Sequence, residues 1–395
     1  MKRVLFVDDE QQVLDALRDL LHKQRKAWKM TFSLGGERAL DELARERFDV
    51  VVSDMQMPGV DGVALLQKVK ELQPGAARIV LSGHAERGKV LSALPVAHRF
   101  LSKPCDADAL RDVIERTASL QALLEDAQVR SLVGKVDRLP SVPTTYWELT
   151  RAMGEPETGL ADLAAIVERD SAMAVKVLQL VNSSYFGLAQ RQTSVAKAVS
   201  YLGTELLRSL ALTAHVFVSS GTSVRGLDLD ALQRHALLVA RVARRLCAGR
   251  PYAAETFTAA VVHDVGQIVL SISAPAKFEE VLSEARAGKR ALHEVEKERL
   301  GASHAEVGGY LLGLWGLPFE VVEATAYHHH PELCPKNEML LAVHVADALV
   351  HATEQGADGE TLGGRLNADF VLASPFAAEL PRFRAIAAEE VRAVG

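Results

Sequence analysis

Asp8 and Asp9 follow the apolar run RVLFV, Asp54 follows DVVVS, Ser82 ends RIVLS and Lys103 follows HRFLS. Carboxylates that share a pocket raise one another's pKa unless a counter-charge is present. Mg²⁺ is a hard cation that takes oxygen ligands in octahedral geometry, and it supplies that charge. A carboxylate beside such an ion can attack a phosphoryl group. The metal, a lysine ammonium and a hydroxyl then hold the three phosphoryl oxygens. One Asp or Ser at a strand end is an ordinary turn residue, but five polar residues ending successive apolar runs point to a shared site. A second concentration of chemistry-bearing side chains, rich in histidine, lies between His235 and Asp347.

Elements must bring the first group together. The runs 3–7, 49–53, 78–82 and 98–102, with a weaker one at 30–33, read as strands. Between them Val13, Leu14, Leu17, Leu20 and Leu21 share one helical face, and Val63, Leu66, Val69 and Leu72 share another more loosely. Such alternation predicts an α/β fold, a doubly wound five-stranded parallel sheet with helices on both faces. Ligands of such sheets sit at the carboxyl ends of the strands, where these polar residues fall.

The segment 1–118 resembles the receiver domain of two-component response regulators. The acidic pair, the aspartate of DMQMPGVDG, the Ser and the Lys-Pro stand in the order of that family. The resemblance implies a flavodoxin-like fold with Asp54 as the phospho-accepting residue. Asp9, Asp54 and the backbone carbonyl of Gln56 would bind Mg²⁺ with Asp8 in support. Ser82 and Phe100 would be the switch pair, and Lys103 would contact the phosphoryl group. His84, His98 and Cys105 read as surface or loop residues.

The stretch DADALRDVIERTASLQALLEDAQVRSLVGK shows no helix breaker until Gly134, and Leu110, Val113, Thr117, Leu120, Leu124 and Ala127 step by three and four. Two readings stay open. One is a last receiver helix on its own sheet followed by a charged connector; the other is a continuous signalling helix, with residues 119–135 as linker, that dimerises through a short heptad seam.

From Leu139 onward strand patterns nearly vanish, and apolar residues recur at helical spacing in segments punctuated by Gly and Pro. LPSVPTTYWELTRAM, then ADLAAIVERDSAMAVKVLQLVNSSYFG, then SVAKAVSYLGTELLRSLAL closely resemble the HDOD output domain, placed at 136–352. The series His235, His263–Asp264, His304, His328–His329 and Asp347 resembles the HD superfamily of metal-dependent phosphohydrolases, of which HDOD domains are generally non-catalytic relatives. Imidazoles and carboxylates suit Zn, Mn or Fe, and such a metal lowers the pKa of bound water for phosphoester hydrolysis. Asp347 lies one turn after His344, so either could face a metal. Against catalysis, no Gly-Tyr-Pro follows the histidine run HHHPELCP, and Gln267 stands where the cyclic-dinucleotide-cleaving branch has Lys. His22, His215, His293 and His351 match no role, and residues 353–395 are a C-terminal extension that either completes the helical domain or covers a groove.

Composition bounds the rest. The 395 residues carry 45 basic and 51 acidic side chains, a net charge of −6, which disfavours nucleic acid as partner. Three distant cysteines fit neither a disulfide framework nor a cysteine zinc site. The N-terminus reaches two aspartates before a signal core could form, and the longest apolar stretch, 307–319, falls short of the ~20 residues of a membrane span. The expectation is a cytoplasmic response regulator. A sensor histidine kinase phosphorylates Asp54, and the helical module then changes its protein partners. The alternative is a receiver-gated phosphohydrolase or phosphodiesterase.

Overall fold

The computed structural model of the chain describes residues 1–82, 93, 96–103, 107–120, 124, 127–136, 139–140, 148–149, 151–153, 155, 157–182, 188, 191–212, 217–218, 226–288, 290–354 and 366–394. The chain divides into two compact units. The first is Met1–Arg138, with Gln179–Arg191 and Gly313–Gly316 grouped with it; the second holds the remainder.

The first unit runs β1 (Lys2–Asp8), α1 (Gln11–Leu20), β2 (Trp28–Leu34), α2 (Gly36–Arg45), β3 (Val50–Asp54), α3 (Gly62–Leu72), β4 (Ala77–Ser82), β5 (Arg99–Ser102), α4 (Ala107–Leu120) and α5 (Ala127–Gly134). The strands are all parallel, in the order β2-β1-β3-β4-β5. A parallel sheet is covered on both faces, so its central strands are apolar runs rather than alternating ones. Val4 to Val7, Val50 to Val52 and Ile79 to Leu81 are each 2% exposed or less. The expected strands are all present, and the weak one at 30–33 extends to seven residues. Asp61 starts α3 by accepting a hydrogen bond from the Ala64 N–H at 2.8 Å. Leu20 and Leu72 leave the faces expected of them and are exposed, because Leu14, Leu17 and Leu21, and Leu65, Leu66 and Val69, fill the stripes that meet the sheet.

The continuous signalling helix is not formed. Helix α4 ends at Leu120, Leu124 is non-helical and buried, and α5 starts at Ala127. Leu110, Val113 and Leu124 of the supposed dimer seam are packed inside this unit, which removes them from any partner helix. Gly134 lies so close to Pro74 that a Cβ there would stand 1.8 Å from the Pro74 carbonyl oxygen. The buried Arg78 guanidinium donates to the Gly134 carbonyl at 2.9 Å and to that of Val96 at 2.5 Å. His98 is buried against Arg78, not at the surface: its Nδ1 accepts the Arg78 N–H at 3.1 Å. His84 and Cys105 lie outside the described residues.

Among the described residues the second unit is built of helices, with a two-residue pairing of Leu139–Pro140 and Phe217–Val218. Its helices are α6 (Leu160–Val167), α7 (Ser171–Val181), α8 (Val195–Leu212), α9 (Leu229–Leu246), α10 (Ala253–Val262), α11 (Val265–Ser273), α12 (Pro275–Gly288), α13 (Leu292–Leu300), α14 (His304–Leu314), α15 (Phe319–Ala326), α16 (Glu338–Glu354), α17 (Ala368–Leu372) and α18 (Leu380–Val394). The Leu-Gly of the family-like motif has a backbone reason: Gly203 breaks α8 with φ +68, a left-handed value that favours glycine. Residues 141–147 and 183–187 of the other motifs lie outside the described residues.

Ala253–Ser273 is apolar over 21 residues, longer than the stretch at 307–319, and 83% of its most apolar window is buried. It is broken at His263–Asp264 into α10 and α11. The C-terminal extension finishes this unit: Phe383 and Ala387 of α18 are fully buried, and Arg245 of α9 pairs with Glu389 and Glu390, each at 2.8 Å.

Glycines permit a close helix crossing. A Cβ on Gly266 of α11 would stand 1.8 Å from the His304 carbonyl oxygen, and one on Gly309 of α14 would stand 2.5 Å from the Ala326 Cβ. Gly266→Ala must push α14 away from α11, and is expected to cost about 1–3 kcal/mol as overpacking. A urea midpoint equal to wild type would show that the crossing tolerates a methyl group.

Candidate functional sites

The first site lies where β1 and β3 end side by side. Asp8 and Asp54 are 1% and 6% exposed, Asp9 is exposed, and one carboxylate oxygen from each lies within 4.8 Å of the others. Lys103 follows β5, two strands from β3, so its backbone lies roughly 10 Å away in the sheet. Only a long side chain spans that gap. Its Nζ stands 2.5 Å from Asp54 Oδ1 and 2.8 Å from Asp8 Oδ2. Burial works against the ammonium, but hydrogen bonds to Asp54 and Asp8 outweigh it and raise the Lys103 pKa. Three carboxylates against one ammonium leave an excess of two negative charges, and this oxygen-only acidic set fits a hard divalent cation. Gly62 lets α3 start against Asp54, since a Cβ there would be 2.0 Å from the Asp54 carbonyl oxygen. Gln56 is exposed in the loop between them, and Phe100 is buried on β5 beside Val80 of β4. Ser82 ends β4, while its side chain lies outside the described residues.

The second site is buried in the helical unit. The break between α10 and α11 turns His263 and Asp264 inward together. His304 opens α14, His328 and His329 follow α15, His235 comes from α9 and Asp347 from α16. All seven residues singled out in the sequence converge. Asp264 is central, with carboxylate oxygens 3.1 Å from His304 Nε2, 3.5 Å from His263 Nε2 and 3.7 Å from His328 Nε2. Asp347 Oδ1 lies 3.0 Å from His235 Nε2 and 3.9 Å from His263 Nε2. His329 Nε2 meets His304 Nε2 at 3.0 Å.

Each of the four inner rings is fixed through its Nδ1. His263 donates to the Ala260 carbonyl at 2.6 Å and His328 to that of Thr325 at 2.8 Å. His304 Nδ1 meets the buried Glu296 carboxylate at 2.6 Å, and His235 Nδ1 lies 3.5 Å from Glu354. Every Nε2 is thereby presented to the two aspartates. The Nε2 atoms of His263 and His328 are buried without a hydrogen-bond partner. With its pKa lowered by burial, the His328 ring is neutral with its proton on Nδ1, so its Nε2 is a lone pair facing carboxylate oxygens, a repulsive arrangement that a cation resolves. Groups such as His263, His328 and Asp347 already hold their ligand atoms within 4.8 Å of one another.

Glu296, Glu354 and His293 were not legible as parts of this site. Glu296 sits in HEVEKERL, which reads as a solvated charged helix, and His293 stacks on His329 with ring centroids 4.0 Å apart. His344, which shares a helix face with Asp347, points elsewhere: its Nδ1 donates to the His328 carbonyl at 2.7 Å and its Nε2 accepts the Asn367 N–H at 3.0 Å.

Charge follows geometry. Burial lowers the pKa of His235 and of His304. Carboxylates overcome it and push both up to about 10: Asp347 and Glu354 for His235, Glu296 and Asp264 for His304. His328, desolvated beside His263, falls to about 3. Burial opposes ionisation of Asp264 and Asp347, yet the histidines hold both well below the usual carboxylate range. The raised pair stabilises fully below about pH 6.5 and loses that contribution as pH rises toward 10, whereas the depressed His328 removes stability as pH falls from 6.5 toward 3. After treatment with a chelator the protein is expected to melt highest near pH 6–7. A Tm that climbs steadily from pH 7 to 10 would contradict these assignments.

The response regulator receiver domain family matches residues 4–115, and the HDOD domain family matches residues 139–331. A protein of Treponema pallidum (strain Nichols) is 26% identical over 274 residues, covering 65% of this chain and 52% of that protein. Sporulation initiation phosphotransferase F of Bacillus subtilis (strain 168) is 26% identical over 122 residues, covering 31% of this chain and 97% of its own length. The solved MmoQ response regulator of Methylococcus capsulatus (strain Bath) is 21% identical, covers 64% of this chain and 98% of its own, and superposes with a TM-score of 0.49. The chain spans about half the length, or less, of the first curated relatives it matches.

Proposed function

Because this chain belongs to the two-component response regulators, with a receiver domain at its N-terminus and an HDOD domain behind it, we propose that phosphorylation of Asp54 by a histidine kinase controls the protein–protein interactions of the HDOD domain. The observation that carries the proposal is the Lys103 ammonium held between Asp54 and Asp8 beside a third carboxylate. An Asp54 carboxylate oxygen attacks the phosphorus of the donor. The new O–P bond forms as the phosphorus–nitrogen bond to the kinase histidine breaks, and the imidazole leaves to regain a proton from solvent. Asp9, Asp54 and the Gln56 carbonyl would hold Mg²⁺ with Asp8 in support, and the ion when bound neutralises charge on the phosphoryl oxygens. Lys103 then moves from the Asp54 carboxylate to a phosphoryl oxygen. The added charge of about −1.5 to −2 draws in Ser82 and repositions Phe100. The setting is cytoplasmic. Acetyl phosphate with Mg²⁺ should label the purified chain on the peptide that contains Asp54. A chain that stays unlabelled, or is labelled elsewhere, overturns the proposal.

The orphaned Nε2 atoms of His263 and His328 support a second reading for the HDOD domain, a divalent Zn, Mn or Fe site. His235, His263, Asp264, His304, His328, His329 and Asp347 would hold the metal, with Glu296 and Glu354 orienting two of the rings. When bound, such an ion lowers the pKa of water and so permits phosphoester hydrolysis. Gln267 in the position of a phosphate-holding lysine argues for a site that binds more readily than it cleaves. Elemental analysis of the purified protein, followed by a screen against cyclic dinucleotides and nucleotides, separates scaffold, sensor and phosphohydrolase.

A further inference from the structure

The starts of α15 and α16 are tied together in the helical unit. The Asn337 side-chain amide donates at 3.0 Å both to the Glu320 carbonyl and to Glu323 Oε2. Both starts contribute to the lining of a cavity of about 600 Å³. Tyr252, Pro335 and Met339 give it apolar wall, and its carboxylates are those of Glu320, Glu323 and Glu338. Glu338 is already compensated: Arg250 lies 3.3 Å from it and the Tyr252 hydroxyl donates to it. Glu320 and Glu323 differ. They stand three residues apart on α15, where like charges repel. Among the described residues neither forms an ion pair, with Lys336 of the lining or with another cation. Glu323 receives neutral donors, the Asn337 amide and the Cys334 thiol at 3.7 Å, while burial and then the charge of Glu320 raise its pKa. A helix N-terminus favours carboxylates within its first turn, which accounts for Glu320 and Glu338. Glu323 is the fifth residue of α15 and lies beyond that turn.

We infer that this cavity is a docking site for an arginine or lysine side chain of a protein partner, with Glu320 and Glu323 as the counter-charge to its head group. The inference deepens the proposed function, on which it rests for control by Asp54. The chemistry of the walls matches the occupant: a long basic side chain lays its hydrocarbon stem on apolar surface and keeps its charge at the polar end. Arginine is also among the residues that anchor interfaces most strongly. A free amine would leave the surroundings unused. Phe319, next to Glu320 in the chain, is 47% exposed, and Leu333, next to Cys334, is 62% exposed. Apolar side chains flanking the basic residue of a partner would cover them, whereas a small cation would not.

The test uses the full chain and a dye-labelled Leu-Arg-Leu peptide, with citrulline in place of arginine as the neutral counterpart. Anisotropy reads the affinity, and the Met339 methyl resonance, assigned with Met339→Leu, reads the place of binding. The arginine peptide is expected to shift that resonance. Citrulline, or the double variant Glu320→Gln, Glu323→Gln, is expected to weaken binding about fivefold, and added salt to weaken it further. The double variant removes a repulsion, so its melting temperature should not fall, which separates lost binding from lost fold. Equal affinity for the two peptides overturns the inference. So does unchanged affinity in the double variant, or the absence of a Met339 shift. Butylguanidinium binding as tightly as the peptide would make this a small-cation site and overturn the protein partner. Peptide affinity that is the same with and without beryllofluoride and Mg²⁺ leaves the docking site standing and sinks its control by Asp54 instead.

Discussion

Asp54→Asn is expected to abolish phosphoryl uptake from acetyl phosphate, leaving an intact mass that does not change. The substitution keeps the side-chain volume at a 6% exposed position, so the sheet around it should persist. What it removes is the nucleophilic carboxylate oxygen, and an amide in its place cannot accept phosphorus at a useful rate. Lys103→Met separates attack from response. The carboxylate remains, so labelling continues, but three carboxylates then face one another without the ammonium that bridges two of them. That variant should carry phosphate without the mobility or partner change that beryllofluoride with Mg²⁺ produces in wild type. Asp54→Asn that still gains mass would move the phospho-acceptor elsewhere. Lys103→Met that still switches would leave the lysine with no part in reading the phosphoryl group.

Metal uptake by the HDOD domain is expected to release two protons at neutral pH. His235 and His304 hold theirs up to about 10, and their Nε2 atoms face Asp347 and Asp264, where the cation would sit. A metal must displace both. Apparent affinity should therefore rise about a hundredfold per pH unit between roughly pH 6 and 9, tenfold for each proton. Calorimetry in buffers of different ionisation heat counts them directly, and a release near zero would mean that neither ring becomes a ligand. Asp264→Asn is the partner experiment. It keeps the shape of the central residue while deleting the charge that three imidazoles share, and should weaken zinc binding by at least about a hundredfold. Should Asp264→Asn prove too unstable to purify, Asp347→Asn tests the same loss from the other carboxylate.

The sequence by itself was enough for the sheet, the order of its polar residues and the helical nature of the chain beyond Leu139. Those features are local. Val50 to Val52 and Ile79 to Leu81 declare buried parallel strands through uninterrupted apolar runs, and the topology of such a sheet sends Asp8, Asp54 and Lys103 to one edge. The histidines and aspartates of the second site were also legible as types in order. Features that depended on through-space contacts stayed open. Periodicity left open whether one continuous helix follows the receiver; in the fold Leu124 is non-helical and buried, and α5 is pinned through the buried Arg78. Spacing could not choose between His344 and Asp347, because a shared helix face says nothing of which neighbour each one meets. The helices around them put Asp347 among the imidazoles and His344 on backbone groups. Glu296 carries no signal in the sequence of its place in the site; the fold buries it against His304. Elements are written in nearest-neighbour chemistry, but the protonation and orientation of a buried centre are set by groups distant in the chain, and only the tertiary structure brings those together.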